Sequence, residues 1–257
     1  MEILNKQLNL DEFYERLAST DKRLLMLDYD GTLAPFTTER DAAVPYPQIK
    51  ETLLELLDHQ TTRVVIISGR TVDDLKKLLD SEKLPEIWGC HGLERLTLDG
   101  HYSIPDFPEE MRSKLSDLYS WTAEKSLVNF CEFKPSGAAY HWRGLPEDEA
   151  EQIHKLVYER WHDIAESTNL ELYEFDGGQE IRVAGTKKST PVQKLLDEAD
   201  PDTITAYLGD DRTDEDAFEA LKGRGLSVFV KDTLRETGAD IWITPPNELN
   251  DFLKRWL

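Results

Sequence analysis

Leu24-Leu25-Met26-Leu27-Asp28-Tyr29-Asp30-Gly31-Thr32 is the stretch that decides the fold. Its four leading apolar residues suit a strand buried on both faces, and Gly31 marks a sharp exit where ligands of open α/β sheets sit. Asp28 and Asp30 lie two apart, so an extended backbone points both carboxylates the same way, one at the strand tip and one just past it. Thr32 adds a hydroxyl. These oxygens suit Mg²⁺, a hard cation that usually shares its shell with substrate phosphate. The plainer alternative is an Asp-Gly turn between strand and helix. Three later segments weigh against it.

The first is Arg63-Val64-Val65-Ile66-Ile67, a β-branched run that stops at Ser68-Gly69-Arg70. It follows a helical pattern of Ile49, Leu53, Leu56 and Leu57, and precedes a helix over Thr71 to Leu79 that Thr71 or Ser68 can cap. Ile87 to His91 reads as a third short strand. Near the far end, Thr203 to Leu208 runs into Gly209-Asp210-Asp211-Arg212-Thr213-Asp214-Glu215-Asp216 and then a helix. Leu226 to Val230 and Ile241 to Thr244 read as closing strands, and Glu248 to Leu257 as a last helix. Strands alternating with helices predict an α/β fold, a Rossmann-like doubly wound parallel sheet.

The middle of the chain has another rhythm. From Leu93 to Arg182 the pattern is strand, helix (Glu109 to Lys125), paired strands (Val128 to Lys134 and Gly137 to Trp142), helix (Pro146 to Ser167), and paired strands (Leu170 to Phe175 and Gln179 to Val183). Pro135-Ser136-Gly137 and Asp176-Gly177-Gly178 are hairpin signals. Residues 93–183 are therefore expected to form an inserted α+β cap, with 1–92 and 184–257 forming the core.

The 257 residues carry 30 Lys plus Arg against 51 Asp plus Glu, a formal charge of −21. Such acidity argues against nucleic acid or an anionic membrane as partner, since both are bound through cationic patches. An anionic small molecule can bind only where a metal and local lysines reverse the field. Cys90 and Cys131 make no disulfide framework. Neither a signal peptide nor a membrane-length apolar run is evident, so a cytoplasmic protein is expected. A monomer is the working expectation.

Taken together, the strand tips describe phosphoryl transfer. Asp28 is the candidate nucleophile, attacking phosphorus to give an aspartyl-phosphate. Asp30 is placed to protonate the leaving oxygen and then deprotonate the hydrolytic water. Ser68 can donate to a phosphoryl oxygen, and Lys188 can neutralise charge on the phosphoryl group and Asp28. Asp210 completes the Mg²⁺ site, with Asp211 or Asp214 holding waters or Lys188 behind it. Each has a duller alternative: Ser68 as a helix cap, Arg70 as partner of a core carboxylate, and Glu132 with Lys134 as a solvated pair.

In order and spacing, Asp28-Tyr29-Asp30-Gly31-Thr32, Ser68, Lys188 and Gly209 to Asp214 resemble the four motifs of the haloacid dehalogenase superfamily of phosphatases. The resemblance implies Mg²⁺ held by the Asp28 carboxylate, the Asp30 backbone carbonyl and Asp210, and a cap between the second and third motifs. With Gly89-Cys90-His91-Gly92-Leu93-Glu94, Glu132-Phe133-Lys134 and His141-Trp142-Arg143 added, the chain resembles the trehalose-6-phosphate phosphatase family from about Leu24 to Trp256. That narrower resemblance implies a sugar-phosphate substrate, with Glu132, Lys134 and Glu180 on the sugar hydroxyls and Arg70, His91, His141 and Arg143 as further contacts. There are departures. Ser189 stands after Lys188 where the family usually has Gly, Lys187 competes for the lysine role, and Val183 stands where Pro often follows Glu-x-Arg. Two alternatives remain open: another capped sugar-phosphate phosphatase, of glucosylglycerol- or mannosylglycerate-phosphate type, and a non-catalytic sugar-phosphate sensor.

Overall fold

The computed structural model describes residues 1–37, 39–175 and 177–257; Asp176, in the second hairpin signal, lies outside them. Along the chain the strands are β1 (Glu2–Ile3), β2 (Arg23–Leu27), β3 (Thr62–Ile67), β4 (Glu86–Gly89), β5 (Glu94–Leu96) and β6 (Tyr102–Ser103). There follow β7 (Cys131–Lys134), β8 (Gly137–His141), β9 (Leu170–Phe175), β10 (Gly178–Val183), β11 (Ile204–Gly209), β12 (Leu226–Val230) and β13 (Ile241–Ile243). The helices are α1 (Leu10–Ala18), α2 (Pro47–His59), α3 (Val72–Leu79), α4 (Glu109–Glu124), α5 (Glu147–Glu166), α6 (Ser189–Glu198), α7 (Glu215–Leu221) and α8 (Asn247–Lys254). Among the described residues, no helix is long and apolar enough to cross a membrane.

Two compact units emerge: Met1–Ser103 with Lys187–Leu257, and Ile104–Thr186. The first holds a sheet ordered β1-β13-β12-β11-β2-β3-β4-β5-β6. From β13 to β4 neighbours are parallel, whereas β1, β5 and β6 join antiparallel at the edges. The sheet is thus a parallel centre with antiparallel margins rather than parallel throughout. Residues 93–103, read from sequence as the start of the insertion, extend this sheet. Their two strands span only three and two residues, too short for periodicity to show which sheet they join.

Burial follows strand alternation. Leu25 and Leu27 of β2 pack with Val64 and Ile66 on one face, in a core shared with α2, α3 and α8. Leu24 and Met26 pack with Val65, Ile67 and Tyr207 on the other, against α6 and α7. Both faces are covered, which is why the strands read as near-continuous apolar runs.

The order of the parallel strands places the site. From β2 the chain proceeds through β3 to β4 in one direction, while β11 through β13 proceed in the other. The reversal falls between β2 and β11, so their carboxyl ends diverge into a crevice suited to a ligand. Asp28 follows β2 and Asp210 follows β11, and the Asp28 amide donates to the Leu208 carbonyl at 2.8 Å.

The second unit has a four-stranded antiparallel sheet ordered β7-β8-β10-β9. One face carries Ala138, Tyr140 and Ile181, packed against Met111 and Leu118 of α4 and Val157, Trp161 and Ile164 of α5. Residues 128–130 form a 3-10 turn rather than the start of β7.

Candidate active site

The Asp28 loop is held by its own backbone. The Tyr29 carbonyl accepts from the amides of Thr32, Leu33 and Ala34, and the buried Tyr29 ring turns away to donate its hydroxyl to the Ala43 carbonyl at 2.8 Å. Gly31 has φ +77°, and a Cβ there would overlap the Asp210 carboxylate. Two physical requirements therefore select glycine: a left-handed backbone and close approach of two loops.

Asp28, Asp210 and Asp214 are buried and present carboxylate oxygens within 4.8 Å of one another. Lys188, also buried, donates to Asp28 Oδ1 at 2.6 Å and to Asp214 Oδ1 at 2.8 Å. Of the two adjacent lysines, Lys187 is half exposed and lies 3.8 Å from Asp216. Thr32 Oγ1 donates to Asp28 Oδ2 at 3.5 Å. Burial and the Asp214 carboxylate hold Asp28 well above the usual carboxylate range, against the opposing pull of Lys188. Burial and Asp214 push Asp210 up to about 6, with Lys231 and Lys188 partly offsetting them. Burial by itself would lower the Lys188 ammonium, but the charges of Asp214 and Asp28 outweigh it and raise the group above its ordinary value.

Asp214 differs from the other two. Its Oδ1 accepts from Lys188 and from Tyr207 Oη at 2.6 Å, and its Oδ2 accepts from the amides of Asp210 and Asp211 at 3.1 and 2.9 Å. Those four donors fill the roughly four acceptor positions of a carboxylate. Asp214 thus fixes Lys188 and the turn, and forms a capping box with Asp211. Asp28 and Asp210 have oxygens to offer a cation. Raised carboxylates crowded around one point lack positive charge, and a hard divalent ion fits that deficit.

Asp30 and Arg70 form a two-bond ion pair, Nε and Nη2 each 2.7 Å from a carboxylate oxygen. Arg70, expected from the resemblance to touch substrate, is thus on a carboxylate of the same site. Ser68 is buried after β3, and its Oγ accepts from the Arg70 amide at 3.2 Å. The cap of α3 is Thr71, whose side chain accepts from the Asp74 amide, so Ser68 does not fill that role. His91 lies in a 3-10 turn, Cys90–Gly92, where sequence reasoning placed the end of a strand. Positive φ at Cys90 and His91 stops the extension at Gly89. The His91 amide donates to the Ser68 carbonyl at 2.8 Å.

On the second unit's other sheet face, register sets Glu132 and Glu180 on either side of Ala139, and Lys134 and Arg182 on either side of Gly137. Lys134 Nζ is 2.8 Å from Glu180 Oε1 and 3.6 Å from Glu132 Oε1. His141 Nε2 lies 3.4 Å from Glu132 Oε2. Arg143 packs beside Gly177, where a Cβ would crowd its side chain. Two carboxylates thus face two cations over a floor of small residues. Sequence reasoning missed three participants. Lys231, donating to Asp210 Oδ2 at 3.1 Å, follows β12 and was discoverable by the same strand-tip logic. Arg182 stands two residues after Glu180, so strand alternation and the Glu-x-Arg spacing could have flagged it, whereas Tyr207 owes its position to packing, for which a single sequence gives no signal.

A trehalose-phosphatase family model matches residues 26–238. A bifunctional trehalose-6-phosphate synthase/phosphatase from Thermoproteus tenax is 31% identical over 88% of this chain, which spans about a third (31%) of that relative's length. The Zea mays trehalose 6-phosphate phosphatase RA3 is 28% identical over 93% of this chain and 71% of its own. Among solved structures, the C-terminal domain of a Candida albicans trehalose-6-phosphate phosphatase shares the fold, with a TM-score of 0.75, 22% identity and 96% of each chain covered.

Proposed function

The chain belongs to the trehalose-phosphatase family, and from that premise we propose that it is a Mg²⁺-dependent phosphatase hydrolysing trehalose 6-phosphate to trehalose and phosphate. The observation that carries the chemistry is the buried Asp28 carboxylate, held by Lys188 at 2.6 Å beside Asp210. A non-catalytic sensor has no use for this assembly, whose burial of charge is costly.

Asp28 attacks phosphorus through the oxygen that Lys188 does not hold, the phosphorus–oxygen bond to the sugar breaks, and an aspartyl-phosphate forms. Lys188, fixed from behind by Asp214, stays charged and offsets negative charge accumulating on the transferred group. In the free protein Arg70 holds the Asp30 carboxylate in a two-bond pair; to act, Asp30 must leave that pair and take up a proton, which it gives to the leaving sugar oxygen before taking one from the water that cleaves the intermediate. The Ser68 hydroxyl donates to a phosphoryl oxygen. The Asp28 and Asp210 carboxylates with the Asp30 backbone carbonyl would hold Mg²⁺, which when bound neutralises phosphate and carboxylate charge together.

Glu132, Lys134 and Glu180, with His141, Arg143 and His91 as further contacts, read the sugar. Hydroxyls both donate and accept, so carboxylates beside an ammonium can satisfy several at once. The charges of Glu132 and Glu180 balance those of Lys134 and Arg182, which suits a neutral disaccharide.

Phosphate release with Mg²⁺ across a panel of phosphorylated mono- and disaccharides tests this reading. Trehalose 6-phosphate is expected to be turned over with the highest kcat/KM, and Asp28→Asn to abolish turnover in a folded protein. Preference for a glucosylglycerol or mannosylglycerate phosphate would reassign the substrate, and undiminished turnover by Asp28→Asn would remove the covalent step.

A further inference from the structure

Resting on the reading that Glu180 recognises the sugar, we infer that Arg182, braced on Tyr173, is the positioning residue that fixes Glu180 and thereby sets substrate selectivity. Glu180 and Arg182 are two apart on β10 and share a sheet face. Arg182 Nη1 donates to Glu180 Oε2 at 3.1 Å, while Lys134 holds Oε1 at 2.8 Å. The two cations thus approach the carboxylate from different sides and fix its plane. Register makes this possible, since Lys134 and Arg182 both pair with Gly137, which puts no side chain between them.

Arg182 is itself constrained. Its guanidinium lies 3.7 Å from the centre of the Tyr173 ring, and Tyr173 pairs with Glu180 across β9 and β10. A planar guanidinium on an aromatic face keeps its orientation in a way an ammonium does not. Arg182 is 6% exposed, and its Nε is buried without a hydrogen-bond partner. One donor is left unmet, a cost, while the rest of the guanidinium is committed to Glu180 and to the Tyr173 ring, the arrangement expected of a residue that serves the orientation of Glu180. A carboxylate free to rotate would meet the sugar hydroxyls less often in the right geometry, whereas one locked before binding loses no rotamer freedom on contact.

The test compares kcat/KM for trehalose 6-phosphate with that for p-nitrophenyl phosphate, which carries no sugar hydroxyls, in the wild-type protein, Arg182→Met, Arg182→Lys, Tyr173→Leu and Glu180→Gln. Arg182→Met is expected to lower the trehalose 6-phosphate value roughly 10- to 100-fold, the range for losing a charged hydrogen bond. Aryl phosphate turnover should change less than about twofold, and Arg182→Lys should recover part of the loss. Because Arg182 acts through Glu180, adding Arg182→Met to Glu180→Gln should cost little more than Glu180→Gln alone. Equal losses on both substrates, no loss on either, or full additivity in the double variant would overturn the inference. If Arg182→Met does not fold, Tyr173→Leu decides, with a smaller loss confined to the sugar substrate supporting the inference and unchanged selectivity overturning it. Wild-type protein without preference for trehalose 6-phosphate would overturn the functional reading as well. Preference abolished by Glu180→Gln but intact in Arg182→Met would overturn this inference alone.

Discussion

Titrating Mg²⁺ affinity against pH probes the carboxylate cluster directly. Burial and Asp214 push Asp210 up to about 6, and a carboxylate must shed its proton before it binds a cation. The apparent dissociation constant is multiplied by one plus ten raised to the pKa minus the pH. For a pKa of about 6 that factor is roughly 1.1 near pH 7 and roughly 11 near pH 5, a difference of about 1.4 kcal/mol in binding free energy. Asp28 is also raised, so its proton steepens the dependence further. The same shift affects folding. With a folded pKa above the ordinary 3.8, Asp210 keeps a proton that the unfolded chain has released. Metal-free stability therefore falls as pH rises from about 4 to about 6 and stays lower above that, by on the order of 3 kcal/mol. Bound Mg²⁺ opposes this cost, so it should raise Tm more near neutral pH than near pH 5. Calorimetric titration of the protein with Mg²⁺ across this range, beside Asp210→Asn, gives the affinity and the protons released. A flat pH dependence, or one that survives Asp210→Asn unchanged, would refute the reasoning.

Three further outcomes are expected. Lys188→Met leaves two buried carboxylates without their shared cation and should destabilise the metal-free protein by about 3–5 kcal/mol in urea melts, while Lys187→Met, at a half-exposed site, should stay within about 0.5 kcal/mol. Gly31→Ala places a methyl group on the Asp210 carboxylate at φ +77°; Mg²⁺ affinity should drop at least about tenfold by calorimetry, and unchanged affinity would mean the two loops can separate freely. Tyr207→Phe removes the hydroxyl bonded to Asp214 Oδ1 and should cost about 1.5–3 kcal/mol, with kcat falling while KM for trehalose 6-phosphate stays near its original value.

Local pattern made much of this molecule legible from sequence. Leu24 to Leu27 and Val64 to Ile67 are apolar at every position because helices cover both sheet faces, and polar residues after such runs must lie at strand tips. That logic reaches Asp28, Ser68 and Asp210 without any coordinates. It also separates the helix-packed face of β7 to β10 from the face bearing Glu132, Lys134 and Glu180, since alternation has a period of two. Where backbone chemistry rather than periodicity governs, the sequence was a weaker guide: Cys90 and His91 leave strand geometry at positive φ, and β5 and β6 are too short to announce their partners.

Sequence by itself determined the alternating α/β plan, the inserted α+β segment, and the residue types that gather at the strand ends. Only tertiary structure decided that Asp30 meets Arg70, that Lys188 rather than its neighbour reaches Asp28, that Asp214 is filled by donors while Asp210 is not, and that Lys134 of β7 reaches Glu180 of β10. The physical reason is one of range. Strand and helix periodicities are set by neighbours a few residues apart, whereas these contacts join residues brought together by sheet order, register and packing, which no local spacing encodes.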